Sequence, residues 1–319
     1  MRAGSTGVFK LKLTVSYMAV YLIWGSTYLA IRISIDTLPL FFASSTRFLT
    51  AGCALMLYSW FRGVKTPTRS NWLTAARSGF LSFFVSFMML SWAELTLPSS
   101  AAALIVSIEP AWFVILDWLF FSGQRPTPKT LIAQLIGFAG CAVLVFADPD
   151  ASIDSGVSRS VYLLSFGAVL LSGIAWVLGS LLARSPDTHP DSGMASGMQM
   201  ISGGVVLLAA SLLNRDYARL GGASLSSAAA LAYLITFGSI FAYSAFMFLL
   251  KNQPTARVVS HTFVNPIVAV ILGWMFAGES LTPEVALSAA MIVASVILTI
   301  YPGRVAVKAA NTNPRSNAS

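Results

Sequence analysis

Apolar runs of about 20 residues, the length a helix needs to cross bilayer hydrocarbon, follow one another along nearly the whole chain. They predict ten spans, near 13–33, 39–61, 72–93, 98–121, 129–147, 161–183, 193–214, 225–250, 254–276 and 282–302. The alternation expected of an outer-membrane barrel strand does not occur. Connections are short except at 148–160 (DPDASIDSGVSRS), whose turn-forming residues suggest a joint between two halves. The end of the chain, 304–319, is polar and is expected to be a disordered tail.

The halves echo each other. Positions 107–118 read SIEPAWFVILDW and 263–274 read FVNPIVAVILGW, so Pro110 and Pro266, and Trp118 and Trp274, stand 156 positions apart. Trp24 with Arg32 in the first span is matched by Trp176 with Arg184 in the sixth. Five spans per copy is an odd number, so the second copy enters the membrane from the opposite face. The expected architecture is an all-α membrane protein of ten transmembrane helices arranged as two inverted five-helix repeats, 1–150 and 151–303. That plan is typical of secondary transporters with a site near the midplane.

Charge orients the bundle. The first residues, the even-numbered connections and the tail carry fifteen basic residues, among them Lys10, Arg62, Arg77, Lys129, Arg184 and Arg304. The opposite side carries four: Arg32, Arg159, Arg215 and Arg219. This bias predicts cytoplasmic N- and C-termini, and the first apolar run reads as a retained helix rather than a cleaved leader. Composition agrees: 56% hydrophobic and 10% charged residues, against about 25% charged in a soluble globule. The net charge of +8 lies in short loops, so it reports topology rather than nucleic-acid binding. Cys53 and Cys141 form no disulfide or metal spacing, and His189 and His261 stand far apart. With no Walker A, HExxH or GxSxG motif, an ATP-driven pump or a familiar hydrolase is not expected, nor a metal or other cofactor.

Polar residues inside spans are the candidates for chemistry. Glu109 lies near the centre of the fourth span beside Pro110, which withholds an N–H and weakens the helix. It reads either as a substrate or proton site or as one arm of a structural clamp. Arg47, deep in the second span, needs an anion, which could be Glu109 or a substrate carboxylate. His261 and Asn265 share a face of the ninth span, Asn265 at the position that mirrors Glu109. Trp24, Tyr28, Phe87, Trp112, Trp176 and Tyr243 are candidate aromatic lining, each also open to a packing role. Gly25, Ser26, Thr27, Gly179 and Ser180 fit close helix contact. Pro110 and Pro266 are candidate hinges. Glu94, Asp117, Lys251 and Arg257, near span ends, read as solvated or interfacial charges.

The stretches WGSTYLAIR (24–32), Pro39 with the in-membrane Arg47, the Pro110 segment, FGSIFAYSAFMFLL (237–250) and VNPIVAVILGWMFAGESLT (264–282) resemble the EamA family of the drug/metabolite transporter superfamily. The resemblance covers nearly the whole chain. Its wording is nearest to YedA-like bacterial members, and the architecture is shared with YddG-type amino-acid exporters. It implies a multi-pass bacterial inner-membrane protein that exports small metabolites, amino acids foremost. The inverted repeat adds alternating access; proton coupling and the oligomeric state, for which a monomer is one option, stay open. Drugs, nucleobases and cationic compounds are the alternative cargoes, and a passive channel the alternative mechanism. Trp176 matches a cavity aromatic of the YddG-type exporters. Glu109 stands where those exporters carry an aromatic, which argues against a purely aromatic preference.

Overall fold

The computed structural model describes residues 3–122, 125–146, 157–253, 258 and 261–300. The greater part of the joint at 148–160, the tail 304–319, Pro254 and Arg257 lie outside the described residues.

The chain is helical throughout these residues. Seven helices are long and apolar enough to cross a membrane: α1 Val8–Thr37, α2 Leu40–Phe61, α3 Arg69–Ala93, α4 Ser99–Phe121, α6 Arg159–Leu182, α7 Ser192–Leu213 and α8 Leu225–Leu250. Three apolar helices are shorter: α5 Pro128–Phe146, α9 His261–Ala277 and α10 Pro283–Ile300. The first helix outruns its apolar stretch, because nothing stops it until Pro39 forces Leu38 into an extended conformation at φ −93°, ψ 135°.

Local chemistry sets the other starts. Pro128 and Pro283 occupy first helical positions, where the missing N–H has no partner to lose. Thr68 and Asn71 form a reciprocal capping box at α3. Asp191 accepts from Met194 N–H at 2.8 Å to open α7, and Ser224 accepts from Ser227 N–H at 3.1 Å to open α8.

The bundle is apolar on its outside and sets polar side chains within an apolar core. Phe61, Leu135, Leu213 and Phe276 are exposed, whereas Ser45, Ser86, Ser172 and Gln199 are buried. Contacts pair α2 with α7, α5 with α10, and α4 with α9, while α6 lies on α3 and α4 as α1 lies on α8 and α9. Backbones meet at glycines. A Cβ on Gly79 in α3 would overlap the carbonyl oxygen of Gln199 in α7, and one on Gly179 in α6 would overlap Ser82 of α3. Gly25 meets Val268 of α9 in the same way, so the close-contact role of Gly25 and Gly179 is borne out.

The two proline segments differ. In α4 the helix breaks into a turn at Ser107–Ile108 and restarts at Glu109, with Pro110 in the first turn of the new segment. Pro266 lies inside a continuous α9. The sequence echo is therefore not an echo in backbone, and the fourth helix is the discontinuous one.

Candidate functional site

The break in α4 solves a problem for Glu109. Its carboxylate, 8% exposed, sits in the first turn of the Glu109–Asp117 segment, where the helix dipole presents its positive end. Non-helical backbone at membrane depth is tolerated where it lines a cavity. Such a cavity exists, of about 70 Å³. Its walls include Trp24, Tyr28, Arg47, Phe87, Glu109, Trp176, His261 and Asn265, drawn from α1, α2, α3, α4, α6 and α9. Eight of the ten sequence-derived candidates thus come together, with Pro266 beside them.

Arg47 and Glu109 line the same space but form no ion pair within 4.0 Å among the described residues. The direct clamp weighed from the sequence is absent. Arg47 is held by α8 instead: its Nε donates to Ser239 Oγ at 2.8 Å. Its guanidinium lies 5.0 Å from the ring centroids of both Phe48 and Phe87. Cation–π contact offsets part of the cost of burying the charge and leaves donors over for a ligand. Glu109 accepts no hydrogen bond from the described residues.

Local π-helical turns build the rest. The wide turn Ala19–Ile23 in α1 directs backbone carbonyls sideways; with its amide turned so that the nitrogen faces these acceptors, Asn265 donates to Tyr21 O at 3.0 Å and Val20 O at 3.3 Å. The wide turn Leu234–Ala242 in α8 presents Gly238 O, which accepts from Trp24 Nε1 at 3.2 Å. His261 donates through Nδ1 to Val258 O at 2.9 Å, and its ring packs against Trp24 with centroids 5.2 Å apart.

Two candidates stand elsewhere. Trp112 does not reach the cavity; it packs on Phe138 of α5 at 5.3 Å and against Gly173 of α6. The restarted segment of α4 turns that face to its neighbours. Tyr243 belongs to a partition, where its ring and that of Phe246 contact Trp24 and Trp176 at centroid distances of 4.8–6.5 Å. Beyond this aromatic wall lies a second space of about 440 Å³, lined by Tyr243, Phe246, Arg184 and His189. Tyr243 is fixed by its hydroxyl donating to Gln199 Oε1 at 2.7 Å.

Sequence reasoning gave Thr27 only a helix-contact role and missed Ser86, Ser107, Ser172 and Thr262; all five also line the cavity. Small hydroxyl residues in spans are common packing elements, and only position separates these from the rest.

The opposite end is shut. Gly278, at φ +66°, ends α9 with a left-handed turn and swings Glu279 back, its N–H donating to Gly273 O at 3.1 Å. The Glu279 carboxylate lies where a Cβ on Gly273 would be. It accepts from Ser99 N–H at 2.8 Å, Ser99 Oγ at 2.7 Å and Ser100 N–H at 3.1 Å, capping α4 across the bundle. Beside it Arg32 donates to Leu97 O at 2.7 Å. Glu94, expected to be wet, is 2% exposed. Nearness to a span end therefore did not mean access to water.

The EamA-like transporter family matches this chain twice, at residues 13–146 and 159–301. The chain belongs to that family. It is therefore a multi-pass membrane transporter rather than an enzyme. It is 35% identical over 281 residues to an uncharacterized inner membrane transporter, YedA, of Escherichia coli K12, covering 88% of each chain. It is 24% identical to a probable terminal-alkyne amino-acid exporter of Streptantibioticus cattleyicolor over 86% of this chain and 89% of that one. A protein of known crystal structure shares the fold at a TM-score of 0.61 and 18% identity, with 90% and 95% of the chains covered.

Proposed function

We propose that this chain is a ten-span inner-membrane exporter, built as two inverted five-helix repeats with both termini cytoplasmic, that carries small zwitterionic amino acids by alternating access. The double family match and the crossed helix pairing support the repeat. The observation that carries the substrate class is the single cavity holding Arg47 and Glu109 apart, with Trp24, Trp176 and Phe87 between and around them. A guanidinium suits an α-carboxylate, a carboxylate suits an α-ammonium, and the rings bed an apolar side chain. The amino-acid exporter among the relatives is in keeping with this.

In the assigned topology the end capped by Glu279 faces outward and the larger vestibule faces the cytoplasm. The state described is then closed outside, with the aromatic wall between cavity and vestibule. Export requires that wall to part, then the Glu279–Ser99 contact to open, with α4 flexing at its break and α9 at Pro266. A thermal-shift screen of purified protein tests the substrate class. Stabilisation by phenylalanine, leucine or tryptophan, and none by nucleobases, polyamines or cationic drugs, is the expected result. Stabilisation by the cations alone would overturn it.

A further inference from the structure

Glu94 has no part in the cavity, yet it is almost wholly shut off from water. Its side chain is 2% exposed, and neither Oε1 nor Oε2 has a hydrogen-bond partner among the described residues. An ionised carboxylate so placed loses its hydration without replacement, at several kcal/mol by general estimates of about that order. The charges whose fields reach it are Arg32 from α1, Arg47 from α2 and Glu279 from the α9–α10 connection. Tyr28 of α1 also feels Glu94, and α6, packed on the same helix, brings Arg159 and Tyr162 to this end. Arg32 donates to Leu97 O, Arg47 donates to Ser239 and lies against the Phe48 and Phe87 rings, and Glu279 adds a like charge. None of these provides Glu94 with a donor.

We infer that Glu94 is a proton-binding site whose occupancy is tied to closure of the end capped by Glu279. With that end shut, Glu94 is the neutral acid. When Glu279 leaves Ser99 and Ser100 and water enters, the Glu94 O–H bond breaks, the proton passes to water on that side, and the carboxylate is left solvated. Reclosure takes one proton back. Glu109 differs, because it borders a cavity that a cationic ligand group can enter. The inference rests on reading the chain as an alternating-access transporter, and it makes outward opening a proton-releasing step.

The test is infrared titration of the purified full chain without substrate, following the carbonyl band of a protonated carboxylic acid. In a Glu109→Gln background, which removes the other buried carboxyl lining the cavity, the band should persist to alkaline pH, vanish when Glu94→Gln is added, and move in frequency with Glu94→Asp. Glu279→Ala, which frees the end to hydrate, should lose the band at lower pH than Glu279→Gln, which removes the like charge but keeps an acceptor for Ser99. A band unchanged in both Glu94 variants overturns the site, and a Glu279→Ala titration identical to that of Glu279→Gln overturns its link to closure. No substrate enters the measurement, so failure to find amino-acid transport would sink the exporter reading and leave this result standing.

Discussion

Glu279 caps Ser99: a carboxylate just past the ninth helix receives the backbone N–H and the hydroxyl at the start of the fourth, at 2.8 and 2.7 Å. The contact joins opposite halves of the chain at one end of the bundle. It gives the Gly273, Gly278 and Glu279 spacing a physical purpose, since the first glycine makes room for the carboxylate and the second turns it back.

Glu279→Ala removes three hydrogen bonds, two of them to the free N–H groups of a helix start. A cap of this kind is worth about 1–2 kcal/mol, so the closed-to-open ratio should fall roughly 5- to 30-fold. In a background lacking Cys53 and Cys141, a Ser107→Cys reporter in the cavity should react correspondingly faster with an impermeant maleimide added from the outside. An unchanged rate would show that Glu279 does not hold that end.

Helix packing makes a sharper demand. Gly79→Ala drives a methyl into the Gln199 carbonyl, while Gly167→Ala adds one where nothing lies within 4 Å. The first should lower the unfolding temperature in detergent markedly and the second leave it within error; equal effects would contradict the α3–α7 contact.

Tyr243→Phe strips the Gln199 side chain of its buried donor. The expected loss is about 1–3 kcal/mol of stability, read by chemical denaturation, with a looser wall between vestibule and cavity.

Trp112→Phe should alter stability but not substrate affinity, because the ring packs on Phe138 outside the cavity. A change in transport KM of roughly tenfold would return Trp112 to the site.

Much of this was legible. The apolar period marked the helices, and Pro110 with Pro266 marked the echo. Depth alone singled out Arg47, Glu109, His261 and Asn265, because polar groups in hydrocarbon demand a reason. That Arg47 does not pair directly with Glu109 was not legible, since partner choice depends on where Ser239 and the Phe48 and Phe87 rings fall. Nor was the break at Ser107–Ile108, which a matching proline in α9 does not produce. The π turns that expose the carbonyls of Val20, Tyr21 and Gly238 leave no compositional trace. Glu94 read as wet because a sequence shows distance from the span centre, not burial in the folded chain.

The central claim is that one cavity binds a zwitterionic amino acid through Arg47, and counterflow tests it most directly. Proteoliposomes preloaded with unlabelled L-phenylalanine should take up labelled L-phenylalanine faster than empty ones. Arg47→Ala should reduce that rate roughly tenfold or more, the worth of a charge-assisted hydrogen bond, and Arg47→Lys should restore part of it. Counterflow by Arg47→Ala at the wild-type rate, or no stimulation by internal substrate in the wild type, would contradict the account.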